Sequence, residues 1–530
     1  MQQNLMMEPS LLDYQLPSGQ TALPCRLLVV ADLGYSGELP KEPHHLDSIN
    51  TWLARYQPRV ECSLASVGRL SFTFRQLHDL HPEPLYRQLC AQLDQQPYYK
   101  KEAETTSSHS TAEDFADLNR QQEQLALLAQ VYRHPRIRRL EATWLSLERL
   151  AEQARNSKTT EVYLLAITPE QLHEDLDQDL ASSRVFDLAY TQELGQYGGQ
   201  PFSMLLVDNY WKPQHQELHS LQQLALLGQI ALCPVITGID PSFLGMQAFT
   251  DELSQETFEA LASSRRFTKV RDLMASEAAR YLTFVLPRVL LRPPYQLQLD
   301  TSWFQEASLD SDLESLAWGN PAYPLASQLL HSFQQLGAYT GSLQAQGKLA
   351  PGFSGVQLGN AWVKQPPLEV SWLPDQINQL VHQGFSPWQP GGEKGEQIML
   401  DRAVSAHAGS HFDASHLQPD DQLIFLLTSC RVAHYLKQLL RELLGTSASL
   451  EALETSLNKW LQGIVSAQER PVPEVMHRKP FRQARVELLR STGEALTEAR
   501  MHLQLTPHLR YQGESFTLSL SSPLVGGMHV

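Results

Sequence analysis

Short apolar runs bounded by turn residues recur between helical stretches through the first three hundred residues. CRLLVVA (Cys25–Ala31), EVYLLAIT (Glu161–Thr168), MLLV within GGQPFSMLLVD (Gly198–Asp208) and CPVITGI (Cys233–Ile239) are each too short for a helix. Runs of this length read as strands buried on both faces. Between them lie helical patterns. Leu118–Ala154 breaks at Pro135, and in its second half Leu140, Trp144, Leu147 and Ala151 fall on one face. Further helices start at Pro169 and cover His215–Leu232. Strand alternating with helix implies a mixed α/β fold whose sheet is at least partly parallel.

The same patterning divides the chain. Residues 1–93 read as a small α/β unit: a short strand around Leu11–Leu16, a turn at Pro17–Gly19, the buried strand Cys25–Ala31, a helix Asp47–Tyr56, a half-buried strand Arg69–Phe74 and a helix His81–Leu93. Residues 94–117 are polar and Ser/Thr-rich, with few core formers, and read as a flexible linker. The remainder, 118–530, divides into a helical start (118–155), an α/β core (156–336), a Gly/Pro-rich insertion of loops and short strands (337–420) and a terminal part (421–530). In the core, a helix after Asn320–Pro321 buries Leu325, Leu329 and Phe333. The terminal part opens with the helix Asp421–Leu444, stopped at Gly445, followed by the helix Leu450–Ser466. Strands at Ala484–Leu489, Arg500–Leu505 and Glu514–Ser521 are spaced as an antiparallel meander.

One segment combines apolar character, prolines and arginines: SEAARYLTFVLPRVLLRPPY (Ser276–Tyr295). Its leucines, valines and Phe284 cannot all face water. Pro287 disfavours the α conformation at Leu286 and suits the first position of a short helical turn, which Pro293 and Pro294 would end. Two readings of Arg288 and Arg292 stand side by side. Their stems lie along apolar surface with the heads in water, or the two are buried and clamped by carboxylates.

A net charge of −16 argues against nucleic acid as the main partner. No run of eighteen apolar residues and no basic-then-apolar leader occurs, so neither membrane insertion nor secretion is expected. Five scattered cysteines without CxxC spacing fit free thiols in a reducing compartment, the cytoplasm by default. His407, His411, His416 and Asp413 cluster in sequence, but the glutamate of HExxH is missing and Gly409 weakens a helix, so a polar loop is the expectation and no metal site is assigned. Cys430 and His434 lie one turn apart on an apolar helix and read as core. YGGQPF and PGFSGVQLG match neither a phosphate loop nor a nucleophile elbow. No catalytic residue, cofactor or enzymatic activity is expected.

Several segments, in order, carry a resemblance: VYRHPRIRRLEATWLSLERL (131–150), ELGQYGGQPFSMLLVDNYW (193–211), RRFTKVRDLMASEAARYLTFVLPRVLLRPPY (265–295), LAWGNPAY (316–323) and SCRVAHYLKQLLRELLG (429–445), with KPFRQARVELL and LTPHLRYQGESFTLSL near the end. Residues 118–530 resemble the large sheath subunit of type VI secretion systems, the TssC family. Residues 8–93 resemble a shortened small sheath subunit, the TssB family, through LPCRLLVVADLGYSG, DSINTWLARYQPRVECSL and RLSFTFRQLHDLHPEPLYRQL. The resemblance implies a phage-tail-sheath-like structural protein fused from both subunits. Its implied partners are itself or separate sheath subunits, the inner tube protein, baseplate components and a AAA+ unfoldase. The alternative is a non-polymerising cap, initiator or baseplate adaptor, because only the 94–117 linker stands where the separate subunits carry reaching extensions. Ser276–Tyr295 then reads as a structural hinge of the large domain, with Glu277 or a carboxylate after Ser308 as the arginines' partner.

Overall fold

The computed structural model describes residues 23–95 and 110–523, apart from 36, 38–39, 41, 156, 197, 300–301, 308–315, 340–347, 350–355, 359–360, 364–366, 392–396, 411–420, 445–449, 469–470, 490–499 and 509–517. The first segment runs through β1 (Cys25–Ala31), β2 (His44–His45), α1 (Ile49–Tyr56), the hairpin β3 (Arg59–Leu64) and β4 (Gly68–Thr73), and α2 (Pro82–Leu93). Then come α3 (Ser110–Arg133), α4 (Pro135–Arg155), β5 (Thr160–Ala166), α5 (Pro169–Asp177), β6 (Met204–Trp211), α6 (His215–Ala231) and β7 (Val235–Ile239). They are followed by β8 (Leu282–Leu286), β9 (Val289–Leu290), β10 (Trp318–Gly319), α7 (Ala322–Leu336), α8 (Pro374–His382) and β11 (Phe385–Pro387). The last part holds α9 (Leu423–Leu444), α10 (Leu450–Leu461), β12 (Phe481–Leu489), β13 (Arg500–Pro507) and β14 (Leu518–Pro523). Other short helices and hairpins connect these.

Seven strands form the central sheet in the order β11-β8-β7-β6-β1-β5-β2. Every pairing is parallel except that of β2 with β5. The fold class is the mixed α/β one that the alternation implies. β1 lies inside the sheet, with Leu27 opposite Val162 on one side and Met204 on the other. All seven of its residues are buried.

Successive side chains of a strand point to opposite faces, and β1 shows it. Leu27 and Val29 join a core that includes Leu140, Trp144, Leu147 and Ala151 of α4 and Leu325, Leu329 and Phe333 of α7. Leu28 and Val30 join a second core with Leu172 of α5 and Leu221 and Leu224 of α6. The result is helix, sheet and helix in three layers. A third core packs α9 and α10 on the antiparallel sheet β12-β13-β14 and includes Leu23 at the start of the first segment.

Four expectations change. The described part of residues 1–93 is no unit of its own: β1 is an interior strand of the large sheet, and Trp52, Val60, Phe72, Leu85 and Leu89 share one core with α4 and α7. Helix α3 begins at Ser110, inside the segment read as linker. After a cis Leu286–Pro287 peptide there is no helical turn, because Val289–Leu290 is extended, paired with Trp318–Gly319, and Leu290 N donates to Pro367 O at 2.9 Å. Within the Gly/Pro-rich insertion, α8 and β11 form, and β11 adds to the edge of the central sheet beside β8. The turn between them needs Gly384 at φ +82°, where a Cβ would meet Ala406 O at 2.6 Å. Leu11–Leu16, Pro17–Gly19, His411, Asp413, His416 and Gly445 lie outside the described residues.

Candidate functional site

Arg292 follows β9 and points into the junction of three segments. Its Nε donates to Glu141 Oε1 at 2.7 Å and its Nη2 to Glu141 Oε2 at 2.9 Å, a two-pronged pair with α4. Nη1 and Nη2 also reach Glu306, at 2.7 and 3.1 Å. Glu306 accepts in addition from the Tyr295 backbone N–H at 2.7 Å, and the guanidinium lies 3.8 Å from the centre of the Tyr295 ring. Burial opposes charge on Arg292, but Glu141 and Glu306 together hold its pKa well above the ordinary value. Burial pushes the Glu141 carboxyl up, against the pull of Arg292. Burial also raises Tyr295, to about 12.

Arg288 forms a second clamp. Its Nε donates to Glu369 Oε2 at 2.7 Å and its Nη2 to Glu369 Oε1, while Glu369 N donates to Arg288 O at 3.1 Å. This fixes β9 to the strand-like segment at Leu368, which bridges Val289. Glu277 is elsewhere: it is mostly exposed and pairs with Arg280 at 3.0 Å, before β8 begins. A five-residue strand separates it from Arg288, so the sequence-near carboxylate is spatially remote. Glu369 does lie after Ser308; Glu141 and Glu306 lie before it.

A further set of contacts anchors the N-terminal segment. Arg26 of β1 meets Glu161 at 3.3 Å and Glu193 at 3.0 Å, donates to Gln200 O, and lies 4.5 Å from the centres of both the Tyr163 and Phe202 rings. Just before β1, Leu23 is held from both ends: its N–H donates to the Tyr435 hydroxyl at 3.0 Å and its carbonyl accepts from Arg431, both on α9. Cys25 Sγ contacts the Tyr339 hydroxyl at 3.2 Å. On α4, Glu148 accepts from Ser48 Oγ and from Ile49 N at 2.8 Å, closing the N-terminus of α1.

Neither Arg26, Arg431 nor this anchoring was singled out from sequence, although a signal existed. A lone arginine inside a strand or helix that is otherwise apolar must find a partner or pay desolvation. The LAWGNPAY motif hides a similar case. Asn320 Nδ2 donates to Asp208 Oδ1 at 3.0 Å and Asn209 O at 3.2 Å, while Thr143 and Tyr323 hydroxyls donate to Asp208 Oδ2 at 2.6 and 3.0 Å. Among the described residues, the hydrogen bonds to this buried carboxylate come from neutral donors.

The histidines and thiols take structural places. His407 is buried in a 3-10 turn with Nδ1 3.1 Å from Met274 O. His434 Nε2 lies 3.0 Å from Ala231 O, and burial pushes its pKa down to about 3. Burial raises the Cys430 thiol well above its ordinary value, so no thiolate–imidazolium pair forms. Cys25, Cys62, Cys233 and Cys430 are buried free thiols. Among the described residues no group of three or more His, Cys, Asp or Glu is placed to hold a metal, and no helix is long and apolar enough to cross a membrane.

Each of these charged groups joins one part of the chain to another, as in a structural protein. The chain belongs to the EvpB/VC_A0108 tail sheath family: residues 118–400 match its tail sheath N-terminal domain and residues 414–524 its tail sheath gpW/gp25-like domain. It is similar to the type VI secretion system sheath protein TssC1 of Pseudomonas aeruginosa, at 24% identity over 415 residues, covering 74% of this chain and 82% of that protein. The family is one of structural sheath proteins and not of enzymes. Residues 8–93 lie outside the matched spans.

Proposed function

We propose that the chain is a fused protomer of a type VI secretion sheath, in which residues 8–93 stand in for the small, TssB-like subunit and residues 118–530 are the large one. The observation that supports it is the position of β1 between β5 and β6. The matched spans begin after β1, so on their own they leave a slot in the middle of their sheet. An empty slot exposes two strand edges and the apolar surface that β1 covers. A second polypeptide, or a fused one, has to fill it.

On this reading the protomer works in the cytoplasm and assembles with its own copies or with separate sheath subunits around an inner tube. Baseplate components and a AAA+ unfoldase are further partners. Head-to-tail contacts that do not close produce open helical filaments, and a contracting lattice needs two packings of the same subunits. The test is co-expression of residues 1–95 and 110–530 as separate chains, then electron microscopy of the intact chain with inner tube protein and separate sheath subunits. Co-purification of the two pieces and continuous labelling along sheaths are expected. Independent folding of 110–530 without its partner sinks the fused-subunit assignment, and labelling confined to one sheath end replaces the protomer with a cap or adaptor.

A further inference from the structure

The corner that leads into α2 carries two histidines one turn apart. His78 sits in the 3-10 turn Leu77–Leu80, and His81 is the residue before the first of α2. Their rings stack, with centres 5.4 Å apart and planes 12° from parallel. His81 also meets the Tyr295 ring edge-on at 5.3 Å, and Tyr295 is the ring against which the Arg292 guanidinium lies. Next to His81, Leu80 O accepts from the Tyr132 hydroxyl. The corner thus joins the N-terminal segment to the Arg292 junction.

Two features set this corner against a proton. His81 Nδ1 is buried and has no hydrogen-bond partner among the described residues. A neutral imidazole leaves one nitrogen without a hydrogen, but an imidazolium donates from both, and a buried donor without an acceptor is unfavourable. The surrounding charges act in the same direction. Arg292 lies behind Tyr295, His78 is stacked on the ring, and the first N–H groups of α2 add positive potential. Glu83, in the first turn of α2, pulls the other way, and it is shared with Arg87. Asp79 accepts from the backbone N–H groups of Arg75 and Gln76, and Glu141 and Glu306 are engaged with Arg292. Burial raises both Tyr132 and Tyr295, so their hydroxyls stay neutral. With burial leading these influences, the pKa of His81 is lowered.

We propose that the His78–His81 stack is a proton-sensitive latch on the seam between the N-terminal segment and the rest of the chain. With both rings neutral, the corner packs against Tyr132 and Tyr295. A proton on His81 needs an acceptor that the described residues of the closed corner do not offer, and the ring reaches water when Leu80–Pro82 swings off the two tyrosines. The closed corner binds fewer protons than the open one. Lowering the pH below 6.5, the ordinary histidine value, therefore shifts the balance towards opening. The start of α2 loosens first, while β1, paired on both sides, keeps its place. The latch acts within one chain and is independent of the sheath assignment.

The Leu85 amide, which donates to His81 O at 3.2 Å, reports the state of the corner. The experiment is hydrogen exchange of the full chain at about pH 7.5 and about pH 5.5, corrected for the intrinsic rate at each pH. It compares the wild type with His81→Gln, His78→Gln and, as control, His215→Gln at an exposed site on α6. Protection at Leu85 should fall about fivefold or more on acidification in the wild type and the control, with little change in β1. His78→Gln should show a smaller fall and His81→Gln almost none. An equal fall in a folded His81→Gln variant overturns the latch, as does a parallel loss of protection in β1. Should His81→Gln fail to fold, NMR titration of the wild-type His81 ring decides: a midpoint below 6.5 is expected, and one at or above it overturns the latch.

Discussion

Arg292 and Glu141, distant in sequence, meet in a two-pronged ion pair with both side chains largely withdrawn from water. The pair ties the segment after β9 to α4, and Glu306 shares the same guanidinium. Removing one member of a buried pair leaves an uncompensated charge, which typically costs about 3–5 kcal/mol. Arg292→Met should cost that much, since two acidic partners lose their cation. Glu141→Gln should cost less than Glu141→Ala, because the amide still accepts one guanidinium bond. Urea unfolding of the three variants gives the ranking; equal costs for Gln and Ala contradict the geometry.

The hold on the N-terminal segment can be probed with one atom. Tyr435→Phe removes the hydroxyl that accepts from Leu23 N–H and contacts Arg431. A buried donor left without its partner costs about 1–3 kcal/mol. Amide exchange should accelerate at Leu23 and at neighbouring residues of β1, with much smaller change in β12 and β13. Uniform acceleration across the chain argues that the segment is not separately anchored.

Asn320 and Gly238 depend on one another. A Cβ on Gly238 would stand 2.9 Å from Asn320 Oδ1 and 3.2 Å from Asn209 O. Gly238→Ala should push Asn320 off Asp208, and Asn320→Ala should deprive Asp208 of a donor, each losing about 1–3 kcal/mol. The double variant should cost clearly less than the sum, because both act on one network. Simple additivity in denaturation refutes the coupling.

Two buried bases on α9 impose a pH dependence. His434 titrates near 3 in the folded chain against an ordinary 6.5, so between those values the unfolded chain binds a proton that the folded one refuses. Stability falls as pH drops through that window, by about 2–3 kcal/mol at pH 4.5. Lys437, lowered by burial to about 7 from 10.5, works in the same direction higher up: stability rises from pH 7 towards pH 10.5. His434→Gln should flatten the acid limb and Lys437→Met the alkaline one. Unchanged slopes in folded variants show that these groups are not the source.

Much of the scaffold is legible in the linear pattern because burial on both faces forces continuous apolar runs. EVYLLAIT, MLLV and CPVITGI become β5, β6 and β7 with small shifts at their ends. The hairpin strand Arg59–Leu64 was missed although Val60, Cys62 and Leu64 alternate inward. Helix α8 was masked by its Gly/Pro-rich surroundings. The arginines of Ser276–Tyr295 could be singled out from composition, yet not their partners. Glu277 is near in sequence but pairs with Arg280, while Glu369, Glu141 and Glu306 arrive by chain crossings that no local rule encodes.

By itself, then, the sequence determined most strands and helices of the core, its parallel character, the antiparallel end and the likeness to sheath subunits, since these follow from short-range periodicity and ordered motifs. Tertiary structure alone decided where the N-terminal segment goes. A fully apolar strand satisfies its burial requirement in any parallel sheet, so CRLLVVA reads equally well as the centre of a small unit or as an insert. Its place between β5 and β6 is set by non-local contacts: two sets of backbone hydrogen bonds, Arg26 against Glu161 and Glu193, and Leu23 held by Arg431 and Tyr435.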